Sequence, residues 1–418
     1  MLRGILRMTI LGVVTLVLIT AGYLGGFGIS RQLFPPVSPP DGGAPAEWKA
    51  DFPVFWEAWN YVHQDFYKTD IDDSALVNGA VSGMVRALGD PHTAFVDARR
   101  AAISDSDLQG SFEGIGATVE MREGRLTIVA PIKDSPAERA GLRPDDIILQ
   151  VNETIIQNMD VTGAVSLIRG PKGTPVKLKV QRAKQAPFDV SIVRDTIKTS
   201  FVESRMIEGT PFAYIRLNDF GATAPEDLRA ALQQLMAQNP KGLIFDLRRD
   251  PGGYLNAAID VASQFLKPGQ TVLIEKRKDG SAQEFKAKGG GLATNIPMVL
   301  LVDKGSASAS EIVAGAIKDY KRATIIGVTT FGKGSVQNVH SLSDRSQLRV
   351  TIAHFFSPLN NEINDVGVLP DVVVEISEDD IANKRDPQLD KAIELLKSQT
   401  GATSFQFPAP AQYLAFGT

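Results

Sequence analysis

Met298-Val-Leu-Leu-Val-Asp-Lys-Gly-Ser-Ala-Ser-Ala-Ser-Glu311 is the stretch on which the fold turns. Met298–Val302 is an unbroken apolar run and reads as a buried strand. Lys304-Gly305 turns the chain. Ser308 and Glu311 then supply the Ser-x-x-Glu pattern that opens a helix. Strands are expected likewise at Phe212–Leu217, Gly242–Asp246 and Ala323–Gly327. They alternate with helices at Pro225–Gln238, Tyr254–Phe265 and Ser308–Tyr320. That alternation predicts an α/β core over residues 198–376, with helices packed on a largely parallel sheet.

Upstream, residues 108–197 read as a compact β-rich module. Its strands are expected at Gly116–Glu120, Leu126–Val129, Ile147–Val151 and Val176–Gln181, with short helices at Pro136–Ala140 and Val161–Ile168. Over 47–107, apolar residues at helical spacing (Phe52, Phe55, Trp56, Trp59, Val62, then Leu76, Val77, Val81, Met84, Leu88) predict two or three helices ended by Gly89-Asp90-Pro91. Residues 33–46 are a Pro/Gly-rich linker. Residues 377–418 hold an amphipathic helix near Asp386–Lys397 and a loose tail. Residues 1–32 carry Arg3 and Arg7 ahead of an uncharged stretch from Met8 to Ser30. That is long enough to cross a hydrocarbon core of about 30 Å, and it predicts a membrane anchor or a signal segment. The arginines place the remainder outside the cytoplasm, and cleavage would release it.

The 418 residues suffice for two or three domains. A net charge of −4 argues against a nucleic-acid partner. The absence of cysteine excludes disulfides, thiolate metal sites and a cysteine nucleophile. Four scattered histidines form no His-x-x-x-His pair, which speaks against a zinc protease.

Three segments could carry chemistry. A serine at a helix N-terminus has free backbone amides beside it and the positive helix end beneath it, a place suited to an oxyanion. The alternating serines leave the choice among Ser306, Ser308 and Ser310 open. Lys333, in Phe331-Gly-Lys-Gly-Ser-Val-Gln337, sits between glycines that permit a sharp bend. A lysine is a usable base only if burial depresses its pKa. Leu243-Ile-Phe-Asp-Leu-Arg-Arg-Asp-Pro-Gly-Gly253 is a strand ending in a turn whose unhindered amides could form half an oxyanion hole. Each has a plain alternative: a helix cap, a surface lysine, an ordinary β-turn. Gly327-Val-Thr-Thr-Phe-Gly-Lys333 resembles a phosphate loop, but Gly334 stands where Ser or Thr should hold magnesium, and a strand follows. His340 is a further candidate base for a histidine-assisted hydrolase, although no Gly-x-Ser-x-Gly elbow occurs.

Together these segments resemble the carboxy-terminal processing (tail-specific) proteases, serine endopeptidases that carry a PDZ domain. Ser-Ala-Ser-Ala-Ser-Glu-Ile, Phe-Gly-Lys-Gly-Ser-Val-Gln and Asp-Leu-Arg-x-x-Pro-Gly-Gly occur in positions like those of the family. Asp90-Pro-His-Thr93 and Gly367-Val-Leu-Pro-Asp371 add weaker matches. The resemblance implies Ser308 as nucleophile, Lys333 as general base and Gln337 as the residue that orients the lysine. Four residues apart on a strand, Lys333 and Gln337 would share a face. It implies an oxyanion hole from Ala309 and the Gly252-Gly253 turn. It makes residues 108–197 a PDZ domain, in which Gly114, Ile115, Gly116 and Ala117 receive the terminal carboxylate of an unstructured C-terminal tail. It links Arg169 to coupling between tail binding and activation. No metal or cofactor is required, and assembly into a homo-oligomer stays open. Asp250 departs from the family's commoner asparagine, and Ser357-Pro-Leu-Asn-Asn-Glu-Ile363 from its usual turn. The alternative function is a PDZ scaffold on an inactive protease fold.

Overall fold

A computed structural model describes residues 52–402. The expected membrane segment, the linker and the end of the tail lie outside these residues. Among the described residues no helix is long and apolar enough to cross a membrane.

The chain divides into two units, Met1–Leu76 and Val77–Thr418. In the first, α1 (Pro53–Asp65) starts with proline at its first turn and stacks Trp59 on His63. Helix α2 (Asp73–Arg86) begins in this unit and runs into the second.

The second unit opens with strand β1 (Ala94–Val96) and helix α3 (Ala98–Leu108), capped by the Asp97 side chain on the Arg100 amide. Strand β2 (Ser111–Gly114) follows. The module proper is β3 (Ala117–Arg122), β4 (Arg125–Pro131), α4 (Pro136–Arg139), β5 (Ile147–Val151), β6 (Thr154–Ile155), α5 (Val161–Ile168), β7 (Pro175–Gln181) and β8 (Phe188–Val193). Its antiparallel sheet runs β3-β4-β5-β7-β8, with β6 beside β5. Alternating burial along β7 puts Val176, Leu178 and Val180 into a core shared with Ile128, Ile148 and Ile168. Strand β9 (Asp195–Lys198) pairs with β2.

The largest sheet runs β10 (Val202–Met206), β11 (Phe212–Leu217), β12 (Gly242–Asp246), β15 (Met298–Val302), β16 (Thr324–Gly327), β19 (Val372–Val373). Every pairing from β11 to β19 is parallel. Strands β12 and β15 are buried at every position, as a strand covered on both faces requires. One face carries α6 (Ala224–Met236), α7 (Leu255–Ala262) and α8 (Ala309–Asp319) on a core of Phe245, Leu300 and Val313. On the other face, α10 (Pro387–Thr400) packs Ala392 and Leu396 against Phe212, Ile244 and Val299. The short α9 (Glu378–Ala382) precedes it.

The expectation of one largely parallel sheet needs correction. The same region contributes to a second sheet, with β13 (Thr271–Arg277), β14 (Ala282–Lys286), β17 (Ser335–Ser341) and β18 (Gln347–Phe356) joined by β1, and every pairing in it is antiparallel. Counted over all described residues, antiparallel pairings outnumber parallel ones. The second sheet brings Lys333 and Gln337 to the end of the first, where Ser308 begins α8.

Candidate active site

Ser308 is the N-cap of α8, with φ 55° and ψ −111°. A left-handed backbone is costly for a residue with a Cβ, and such strain collects at functional sites. The capping box that the sequence pattern suggests is in place, and its firm half runs from the serine amide to the carboxylate: Ser308 N–H donates to Glu311 Oε2 at 2.8 Å. The Ser308 hydroxyl faces the Glu311 amide without a full hydrogen bond and has no other partner among the described residues, so it is left for other chemistry. Its neighbours are committed: Ser306 Oγ donates to the Leu247 carbonyl and Ser310 Oγ to the Asp250 carbonyl. The structure thus separates the three serines that composition alone could not.

Glu311 is fully buried. Besides the Ser308 amide it accepts from Thr330 Oγ1 (2.6 Å), Gly332 N–H (2.6 Å) and Lys333 N–H (2.8 Å). Four donors satisfy a carboxylate taken out of water. They also fasten the start of α8 to the Gly332-Lys333 turn, where Gly332 adopts φ 91°. Sequence reading saw Glu311 only as a cap; its other partners lie about twenty residues on, beyond any local pattern.

Lys333 is half-buried. Burial depresses its pKa, the nearby Arg349 guanidinium adds to that, and Glu311 opposes it. This is the direction a general base requires. No hydrogen bond joins Lys333 Nζ to Ser308 Oγ among the described residues. No hydrogen bond joins Gln337 to Lys333 among these residues either: Gln337 Nε2 donates to the His92 carbonyl. The face-sharing argument fails for two reasons. Lys333 precedes β17, and a register shift between Val336 and Gln337 interrupts the alternation of faces. His92 is held by the Asp90-Pro-His-Thr93 turn, whose Asp90 carboxylate accepts from the His92 and Thr93 amides and from Thr93 Oγ1. Burial alone would raise that carboxyl, but the nearby Thr351 hydroxyl and then these bonds bring it down to about 2. His340 is exposed on β17.

The Pro-Gly-Gly turn abuts the serine. A methyl group on Gly252 would stand 2.7 Å from the Ala307 carbonyl oxygen and 2.8 Å from both Ala309 N and Ser308 Cβ. With φ 101°, Gly252 fits only as glycine. Its amide is engaged, however, donating to Asp250 Oδ1 at 2.9 Å. The Gly253 and Ala309 amides have no protein acceptor among the described residues. Of the three expected oxyanion donors, two are therefore available and Gly252 instead shapes the turn.

In the small module, Gly116 has φ 76°, and a methyl group there would stand 2.5 Å from Ser135 Cβ. The Ile115 carbonyl accepts from Ala137 N–H and the Gly116 carbonyl from Ile132 N–H and Ser135 Oγ, which fixes the 114–117 loop. Between β3 and α5 lies a cavity of about 330 Å³ lined by Ile115, Val119, Val161, Val165 and Ile168. Strand β3 ends its sheet, so one edge is unpaired. At the cavity's end Arg169 lies over the Phe112 ring and donates to Ser106 Oγ (3.0 Å) and Asp107 Oδ1 (2.7 Å) of α3. Asp319, three turns beyond Ser308, accepts from Leu359 N–H and Asn361 Nδ2 and so ties α8 to the 357–363 turn.

Residues 211–374 match the model of peptidase family S41, residues 127–182 a PDZ domain, and residues 44–100 the activating protease CtpB N-terminal domain. The chain is 40% identical over 314 residues to a carboxy-terminal-processing protease of Bartonella bacilliformis, covering 74% of this chain and 72% of that one. It is 39% identical over 320 residues to the carboxy-terminal processing protease CtpA of Bacillus subtilis, covering 77% and 68%. A solved structure from Bacteroides fragilis, assigned to the S41 proteases, shares the fold at a TM-score of 0.53 and 15% identity, covering 77% of this chain and 90% of that one.

Proposed function

The chain belongs to the carboxy-terminal processing proteases of peptidase family S41, serine-type peptidases with a PDZ domain, and on that premise we propose that Ser308 and Lys333 form its catalytic dyad. The observation that carries this reading is the buried Glu311 carboxylate, which binds the Ser308 and Lys333 amides at once. Neutral Lys333 Nζ takes the proton as Ser308 Oγ attacks the peptide carbonyl carbon. The oxygen, now negative, accepts from the Gly253 and Ala309 amides. Collapse breaks the C–N bond, Lys333 returns the proton to the leaving amine, and water hydrolyses the acyl-enzyme. Gln337 orients the lysine only in a rotamer that has left His92.

The PDZ module, over 108–197, takes the substrate's C-terminal tail. The tail adds as a strand to the free edge of β3, its carboxylate at Gly114, Ile115, Gly116 and Ala117 and its last apolar side chain in the neighbouring cavity. Arg169, which spans from the cavity to α3, couples occupancy to the protease core over 198–376. The N-terminal segment holds the protein at a membrane with the catalytic part outside the cytoplasm; cell fractionation of the full chain and of one lacking residues 1–32 tests this.

Ser308→Ala and Lys333→Ala should each abolish casein cleavage while melting cooperatively near the parent temperature. Measurable turnover in either folded variant would sink the dyad. Loss of cleavage in His340→Ala would favour a histidine base instead.

A further inference from the structure

Behind the Gly252-Gly253 turn lies a group of charges that acyl transfer does not use. Arg216 extends from β11, Asp219 follows that strand, and Asp250 precedes the turn. Arg216 Nε, Asp219 Oδ1 and Asp250 Oδ2 are all buried without a hydrogen-bond partner among the described residues. Orphaned buried polar atoms are costly, and three in one place call for a reason. Asp250 is fully buried, and its carbonyl accepts from Ala307 N–H (3.0 Å) and Ser310 Oγ (2.9 Å), on either side of Ser308. Asp219 lies against the turn itself. A methyl group on Gly253 would stand 2.9 Å from Asp219 Oδ1, one bond length beyond Gly253 Cα.

A carboxylate there has an electrostatic consequence. The tetrahedral intermediate places negative charge against the Gly253 amide. A second negative charge against the same residue opposes it, and burial weakens solvent screening. We propose that Asp219 is a positioning residue whose uncharged form, seated beside Asp250, lets the oxyanion develop at Gly253 and Ala309, and whose ionisation closes the alkaline side of the activity. This rests on the Ser308 site described above.

The surroundings move the titration of this acid from the ordinary carboxylate range to neutrality. Burial, reinforced by Asp107 of α3, pushes Asp219 up to about 7 against the Phe220 amide. Burial first, then Asp219, raises Asp250 well above the carboxylate range, opposed by the Gly252 amide and Arg216. Lys333 acts in the other sense, since it must lose its proton to serve as base. The rate should therefore rise with pH as Lys333 deprotonates and fall as Asp219 ionises.

The test is kcat/KM on an internally quenched peptide from about pH 5 to about pH 10. Asp219→Asn, the same shape without a charge, should remove the descending limb, raise kcat/KM near pH 9 at least about tenfold over the parent, and leave the ascending limb in place. Asp219→Glu should keep a descending limb. A parent enzyme with no descending limb overturns the proposal. So does Asp219→Asn if it keeps the parent limb, or if it melts cooperatively yet is inactive at every pH. Ser308→Ala separates the two levels. If it cleaves the peptide, the site assignment falls and the proposal with it. If it is inert while Asp219→Asn keeps the parent limb, only the role of Asp219 is lost.

Discussion

Glu311 carries more of the site than its place as a helix cap suggests. Its two oxygens collect the amides of Ser308, Gly332 and Lys333 and the hydroxyl of Thr330, which itself accepts from Val368 N–H. Removing the carboxylate strands several buried donors, each costing about 1–3 kcal/mol. Glu311→Ala should lower unfolding free energy by about 3 kcal/mol or more in urea titration and reduce kcat at least about tenfold. Glu311→Gln retains one acceptor oxygen but turns an NH2 toward donors, so its loss should be intermediate. Equal stability of all three proteins would remove Glu311 as the link between nucleophile and base. Lys333 gives a second expectation at this scale. Its folded pKa lies below the ordinary lysine value. A charged Lys333 therefore costs the folded state more than the unfolded one, a penalty that is full below the folded pKa, begins to fade as pH rises through it and is gone above the unfolded value. Lys333→Met should be inactive yet melt at a higher temperature than the parent at pH 7, with the difference shrinking at alkaline pH.

At the scale of elements, β3 and α5 make the clearest recognition device. The strand's free edge offers main-chain hydrogen bonds, and Val119, Val161 and Val165 offer an apolar slot. A tail peptide with a free carboxylate should bind more tightly than its amidated form in fluorescence anisotropy. Val165→Asp, which buries a charge in that slot, should weaken binding at least about tenfold while thermal melting stays cooperative. Similar affinities for all pairs would exclude this groove as the tail site. How far such elements were legible depended on their environment. Strands β12 and β15 are buried throughout, and apolar but for Asp246, because helices cover both faces, so Gly242–Asp246 and Met298–Val302 stood out at once. The second sheet did not. Thr271–Arg277 and Ala282–Lys286 mix charges with apolar residues, and β14 is largely exposed at the sheet's edge. Ser308 and Lys333 were legible through short motifs. The side-chain meeting of Gln337 with His92 was not, because a bulge in β17 and a turn some 245 residues earlier decide it.

On the scale of the whole molecule, one buried ionic cluster closes the parallel sheet. Arg248, just past β12, donates to Asp246 and to both carboxylate oxygens of Asp386 at the start of α10, and to Gln388 Oε1. Tyr214 of β11 adds its hydroxyl to Asp246 at 2.7 Å. Gln388 reaches the Val374 carbonyl after β19. The cluster thus clamps α10 over Phe212, Ile244, Val299, Leu301 and Ile326, a face that would otherwise meet water. Burial would raise the Asp386 carboxyl, but the hydrogen bonds and charge of Arg248 prevail and hold it below its ordinary value. The sign of the linkage follows. An acid with a depressed folded pKa adds stability that is present above the unfolded value, near 4, and is lost as pH falls through the folded one. Asp386→Asn should therefore cost about 1 kcal/mol at pH 7 and flatten the acid side of a stability–pH curve, the difference from the parent closing below about pH 3. Arg248→Met should cost more, about 3 kcal/mol, because Asp246 is fully buried and would keep only the Tyr214 hydroxyl and the backbone amide of residue 248, with no cation beside it. Deleting the chain from Asp386 onward should leave protein that fails to melt cooperatively, since an entire face of the sheet loses its cover. If that truncated chain folds and cleaves casein like the parent, α10 is an accessory, and the clamp has no part in holding the catalytic sheet together.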